Sequence, residues 1–112
     1  MGVANMADDI KMRAQLKGDI TEVKVLISHA METGRRKNNL GETIPLHFIQ
    51  LVTVTLNGNL VLEAQCGTGI SKNPYLTFHV AGAKLGDIVA VVWHDNLGQS
   101  SSQQIAVTQG SL

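Results

Sequence analysis

The sequence predicts an all-β domain, a β-sandwich of about seven short strands, and three observations predict it. Apolar and polar residues alternate at period two through most segments, as in strands with one buried face. Turn-forming residues, glycine above all, punctuate the chain between those segments. No stretch sustains the apolar spacing of a helix. A chain of 112 residues is one domain in size, and at that length roughly two thirds of the unfolded surface can be buried in a single core.

Ile10, Met12, Ala14 and Leu16 alternate with Lys11, Arg13, Gln15 and Lys17, which makes a half-buried first strand. Gly18-Asp19 ends it. From Ile20 a second strand sets Val23, Val25 and Ile27 opposite Lys24 and Ser28 and pairs with the first. Residues 29–43, HAMETGRRKNNLGET, hold two glycines, paired asparagines and a basic triplet without an apolar period, and read as a long surface loop. Connections of about 15 residues in compact domains are commonly functional or mobile.

Residues 44–62, IPLHFIQLVTVTLNGNLVL, are the stretch onto which the rest packs. Phe48, Val52, Val54 and Leu56 share one side of a third strand that starts at Ile44, while Ile49 and Leu51 take the other. Asn57-Gly58 supplies two residues that accept positive φ in a type I′ turn, and Leu60, Val61 and Leu62 begin the return strand. Residues 65–74, QCGTGISKNP, form a turn-rich connector, and residues 75–80 a fifth strand. After a turn over 81–87, the apolar run 88–94, IVAVVWH, suits a buried strand that Asp95-Asn96-Leu97-Gly98 terminates. Residues 99–108 alternate weakly through Ile105 and Val107 and close the sheet as a polar edge strand. The expected organisation is a flexible segment over 1–9, a sandwich of immunoglobulin-like size over 10–108, and a tail over 109–112. The Cys…Trp…Cys signature of antibody domains is absent.

Nine Lys plus Arg offset nine Asp plus Glu, so no net field draws the chain to nucleic acid or to an anionic membrane. Residues 1–9 show no basic region followed by an apolar one, hence no visible secretory signal, and no apolar run approaches the about 20 residues of a membrane span. Composition by itself points to the cytoplasm. The single Cys66 excludes an internal disulfide and leaves a packed thiol, a reactive thiol or an intermolecular bridge. The packed thiol is favoured, because free cysteine is among the most buried residue types.

Four histidines and four methionines beside that cysteine raise a metal site. A blue-copper site gathers its Cys, second His and Met in one loop, whereas no Met follows Cys66. A mononuclear iron site on a similar sandwich wants Cys and His a few residues apart, and the next His is His79. No metal or other cofactor is therefore expected, and His29, His47, His79 and His94 read as hydrogen-bonded or solvated residues at strand ends or on polar faces. Catalysis by Cys66 needs a His and an orienting group close in space, which sequence does not show. Ser71 precedes Lys72 ahead of a strand, the reverse of a phosphate loop. Arg35, Arg36 and Lys37 lack interleaved aromatics and read as a solvated loop tip, and Trp93 reads as core. Such a domain binds more readily than it catalyses, with Met31, Pro74 and Tyr75 as exposed anchors for a partner.

Four blocks, in order, resemble the SoxZ family. They are Ile27-Ser28-His29-Ala30-Met31-Glu32-Thr33-Gly34, Ile44-Pro45-Leu46-His47-Phe48-Ile49, Ser71-Lys72-Asn73-Pro74-Tyr75-Leu76, and Gly86-Asp87 through Trp93 and Asp95. The likeness runs from Ile10 to Val107. SoxZ is one subunit of the SoxYZ sulfur carrier of bacterial thiosulfate oxidation. The resemblance implies an immunoglobulin-like sandwich that forms a heterodimer with a SoxY subunit and makes transient contacts with the other Sox enzymes. It also implies that the covalent chemistry lies on a cysteine in the glycine-rich C-terminal arm of SoxY, and that the pair reaches the periplasm on the partner's export signal. Cys66 sits between two predicted strands rather than on a free end, so the carrier role does not transfer to it.

The expected reading is a non-catalytic subunit that stabilises SoxY and presents its arm. The expected partner interface is His29, Met31, Glu32 and Thr33 with Lys72, Asn73, Pro74 and Tyr75, because loop motifs with apolar tips are where recognition sits. The alternative is a thiol or metal redox protein using Cys66 with His79 or His94.

Overall fold

The alternation over the first two predicted strands produces a hairpin. β1 (Ile10–Lys17) and β2 (Ile20–Ile27) pair antiparallel from Ile10↔Ile27 to Lys17↔Ile20. Gly18 turns the corner at φ 65°, the positive value that a type II′ turn needs at its first central residue. A second hairpin joins β3 (Ile49–Leu56) to β4 (Asn59–Gln65). There Asn57 and Gly58 adopt φ of 50° and 86°, the two positive values of the expected type I′ turn.

The computed structural model describes residues 9–110. β5 (Tyr75–Ala81) pairs with β2, β6 (Ile88–Asp95) with β3, and β7 (Ser100–Ala106) with β6, while β8 (Thr108–Gln109) lies parallel to β1. Two four-stranded sheets result, ordered β5-β2-β1-β8 and β4-β3-β6-β7. They form the β-sandwich that the sequence predicts, with no α-helix among the described residues. Val23, Val25 and Ile27 of one sheet and Val52, Val54, Val89 and Val91 of the other are fully buried in one cluster. Burying each such side chain is worth about 1.5–3 kcal/mol over leaving it in water, so the period-two pattern fixes which face of each strand turns inward.

The structure differs from the sequence reading at four places. The third strand begins at Ile49, not Ile44: the preceding segment pairs with the loop instead, through Ile44 N–H to Arg36 O and a bridge of His47 with Glu32. Ile49 shares the buried side with Val52 and Val54, because a register shift between Ile49 and Leu51 reverses the alternation there. The loop over 29–43 is the first half of a folded arm, tied by bridges Glu32↔His47 and Lys37↔Thr43 and capped where Asn38 Oδ1 accepts the N–H groups of Leu40 and Glu42. Finally, the chain crosses from β7 to the other sheet and adds an eighth strand, so part of the expected tail is ordered. Gly110 N–H donates to Leu16 O at 2.9 Å, and a Cβ on Gly110 would stand 3.1 Å from that same oxygen. Most of the expected flexible segment, residues 1–8, lies outside the described residues, as do 111 and 112.

Candidate functional site

Four strand ends meet at one pole of the sandwich: the end of β2, the starts of β3 and β5, and the end of β6. Ile27 N–H donates to Pro74 O, and His29 and Asn73 are tied twice, through His29 N–H to Asn73 Oδ1 at 3.0 Å and Asn73 N–H to His29 O at 2.9 Å. Asn96 holds the start of β3, accepting the Phe48 N–H at 2.7 Å and donating to Leu46 O at 2.9 Å. The two segments expected to form an interface, His29–Thr33 and Lys72–Tyr75, are thus side by side. With Arg36 they line a concavity of about 500 Å3 whose walls include Met31, Glu32, Thr33 and Lys72.

Their exposure divides them. Thr33, Lys72, Asn73 and Tyr75 are open to solvent and Glu32 is half-buried, but His29 and Pro74 are buried. Met31, expected as an exposed anchor, is only 6 % exposed and belongs to the core cluster. Its backbone takes a left-handed φ of 49°, which swings the side chain inward, where Sδ accepts the Ile49 N–H at 3.3 Å. Pro74 is covered for a related reason, since its carbonyl caps the last residue of β2. Tyr75, 61 % exposed, is the anchor that remains. The Arg36 guanidinium, donating to both Glu32 oxygens at 3.1 and 2.6 Å, holds the Glu32 carboxyl below its ordinary range.

Asp95 is the polar centre of this pole. Its Oδ1 accepts the N–H groups of Leu97 at 3.0 Å and Gln99 at 2.8 Å, closing the turn that ends β6. Its Oδ2 receives two imidazoles, His29 Nε2 at 3.1 Å and His47 Nε2 at 2.7 Å. Burial pushes the Asp95 carboxyl up. The bonds from His29, Gln99, His47 and Leu97 outweigh it and leave the group below its ordinary range. The His29 ring is T-shaped against both His47 and Trp93, at centroid separations of 4.5 and 5.0 Å.

Ligand atoms of His29, His47 and Asp95 lie within 4.8 Å of one another, and proton positions decide what they can hold. The Met31 N–H points at His29 Nδ1, 3.1 Å away, so that nitrogen accepts and neutral His29 carries its proton on Nε2, facing Asp95. A metal on Nε2 requires the proton on Nδ1, donor against donor, where histidine ligands ordinarily donate to an acceptor. His47 and Asp95 are left as ligands, two of the four that a structural zinc takes. The cluster is a hydrogen-bonded latch that ties the arm and the β2 end to β6. Sequence reading treated these histidines one by one and missed the cluster, whose members stand 48 and 66 positions from Asp95. The available signal was the Asp-Asn-Leu-Gly turn directly after a buried strand.

Cys66 is half-buried against the core, its Sγ directed at Ala64 O, and burial pushes the thiol up. His79 is on the outer face of the other sheet beside Glu22 at 3.7 Å. His94 is exposed on β6 while Cys66 packs inward. The geometry assembles no thiol–imidazole pair from the residues of the redox alternative.

These features define a two-sheet, immunoglobulin-like sandwich with a latched pole. The chain belongs to the SoxZ family: the family model for sulphur oxidation protein SoxZ matches residues 10–106. That membership supports a role in sulfur oxidation by the Sox system. No curated protein matches the chain. Among solved structures it is similar to a hypothetical protein from Pyrococcus horikoshii OT3, at 14% identity and TM-score 0.60, covering 88% of this chain and 87% of that one. It is similar also to a superoxide reductase in the oxidised state, at 14% identity and TM-score 0.57, covering 88% and 86%. At that identity these likenesses show the fold alone.

Proposed function

We propose that this protein is the non-catalytic subunit of a heterodimeric sulfur carrier, pairing with a SoxY chain, stabilising it and presenting its C-terminal cysteine arm to the Sox enzymes. The observation that carries this reading is the family match over residues 10–106. Cys66 supports it from the other side. A carrier or nucleophilic cysteine needs mobility and thiolate character, whereas Cys66 is held in the sandwich and its thiol is pushed up. A periplasmic location, reached together with a signal-bearing partner, belongs to the same reading and rests on the family resemblance. Export as a folded pair requires tight association beforehand, hence an interface of well over about 1,000 Å2 with an apolar centre.

Co-expression with a candidate SoxY, capture of the SoxY chain and size exclusion of the eluate test the pairing. The expected result is a stable one-to-one complex, and elution of the two chains apart rejects it.

A further inference from the structure

The two sheets have four lateral edges, and three of them carry something that discourages a further strand. β8 is two residues long. β4 bulges where its register with β3 shifts between Val54 and Thr55, and it carries Glu63. β7 runs beside β1 across the sandwich, and Gln103 Oε1 caps the Gln104 N–H at 3.0 Å. β5 has no such protection. Its seven residues, YLTFHVA, pair with β2 without a register shift and include no Lys, Arg, Asp, Glu, Pro or Gly. A regular, uncharged edge of this kind is a template for another strand.

The ladder with β2 determines which groups are free. Ile27 N–H donates to Pro74 O at 2.9 Å, and bonded pairs recur at every second residue of an antiparallel ladder. The β2-facing groups of β5 are therefore those of Leu76, Phe78 and Val80. The N–H and C=O groups of Tyr75, Thr77 and His79 point away from the sheet, and no described strand pairs with them.

Charge beside this edge selects the occupant. On the outer face Lys11, Arg13 and Lys24 surround Leu26 and Tyr75 in a groove of about 290 Å3. Lys24 stands opposite Thr77 in the ladder and 3.6 Å from Glu22, while Lys11 and Arg13 form no ion pair among the described residues. A strand added to β5 lies about 4.8 Å from it and so about 10 Å from β2, within the joint reach of Lys24 and a partner's acidic side chain. A second copy of this chain would bring an uncharged β5, and the carboxylate one strand behind it, Glu22, is already paired with Lys17 and Lys24 at 3.0 and 3.6 Å.

We propose that β5 takes a strand of a different protein chain by edge pairing, one whose solvent-facing side chains beside Lys24 are carboxylates, with Tyr75 and Leu26 as the apolar anchor. The proposal rests on the subunit reading above, in which that chain is SoxY, and adds the mode of binding.

Thr77→Pro tests it, because it removes an N–H that the free chain does not use at an edge position where proline is tolerated. With purified SoxY as the probe, Thr77→Pro weakens the complex by at least about tenfold, the loss of one or two pairing hydrogen bonds and the fit around them. Thr77→Ala, which keeps the N–H, binds as the natural chain does. Amide hydrogen exchange needs no variant: in the complex the Thr77 and His79 amides slow sharply, while those of Leu76, Phe78 and Val80 are slow already in the free chain. A complex whose Thr77 and His79 amides exchange as in the free chain overturns this mode of binding and leaves the subunit reading standing. No complex at all overturns both. Slow Thr77 exchange in the free chain together with a dimer mass assigns the edge to a second copy, and an affinity indifferent to salt removes the carboxylates; either overturns the proposal.

Discussion

Replacing Asp95 by Asn changes the charge of the latch and almost nothing of its shape, so it isolates what the carboxylate does. The natural side chain accepts from Leu97 and Gln99 on one oxygen and from His29 and His47 on the other. Asparagine keeps one of those oxygens. Turned toward the backbone amides, it aims its NH2 at the His29 Nε2–H; turned the other way, it aims NH2 at the amides. His29 cannot answer by exchanging its proton between nitrogens, because the Met31 N–H occupies Nδ1. His47, with 27% of its side chain exposed, can turn partly to water. An unpaired buried donor costs about 1–3 kcal/mol and a hydrogen bond to a charged group is worth about 1.5–3, which places Asp95→Asn at a loss of about 2–4 kcal/mol. At about 4 °C per kcal/mol for a domain of this size, Tm falls by about 8–16 °C.

Trp93, the single tryptophan, lies 5.0 Å from His29 and reports the transition by fluorescence. The sign with pH is fixed. A carboxyl held below its ordinary 3.8 in the folded chain contributes stability that is fully present above that value and is lost as pH falls through the lower folded value. The gap between the natural chain and Asp95→Asn therefore narrows as pH falls below 3.8 and through the lower folded value. A Tm change under about 2 °C, or a gap that holds constant in acid, refutes the latch.

Other substitutions separate the parts of the account. Tyr75→Ala leaves Tm within about 2 °C, since its side chain is exposed, and weakens SoxY binding by about tenfold or more in a titration, as loss of an aromatic anchor does. Met31→Ala does the reverse to stability, costing about 2–4 kcal/mol in urea unfolding through the cavity it leaves in the core. Cys66→Ser retains thiosulfate-oxidising support in a reconstituted system, and the natural thiol reacts with a thiol reagent at neutral pH more slowly than a free cysteine, because burial disfavours its thiolate. Gly58→Ala forces an L side chain to φ 86° and costs about 1 kcal/mol by thermal unfolding, with no effect on partner affinity.

The fold was legible wherever local chemistry decided it. Period-two alternation placed Ile10, Ala14, Val23, Val25 and Ile27 inward, and the Asn57-Gly58 pair fixed the turn and the first pairs of its hairpin, up to the bulge between Val54 and Thr55. The sequence did not show the single-residue register shift at Ile49–Leu51, because a bulge reverses the inward face without changing composition. β8 was hidden because two residues carry no period. The site was less legible for two reasons. Met31 lies in a polar stretch and is buried only because a left-handed backbone turns it inward. His29, His47 and Asp95 meet only once three strand ends converge. Three of the four SoxZ blocks contain latch residues, while leaving open which of their side chains face a partner.

The measurement that reaches the central claim most directly is the intact mass of each chain in a co-purified complex after loading with thiosulfate by the Sox enzymes. The account predicts sulfur adduct mass on the SoxY chain alone, with this chain at its unmodified mass. Adduct mass on this chain, lost on replacing Cys66 by Ser, would contradict it and make Cys66 a carrier in its own right.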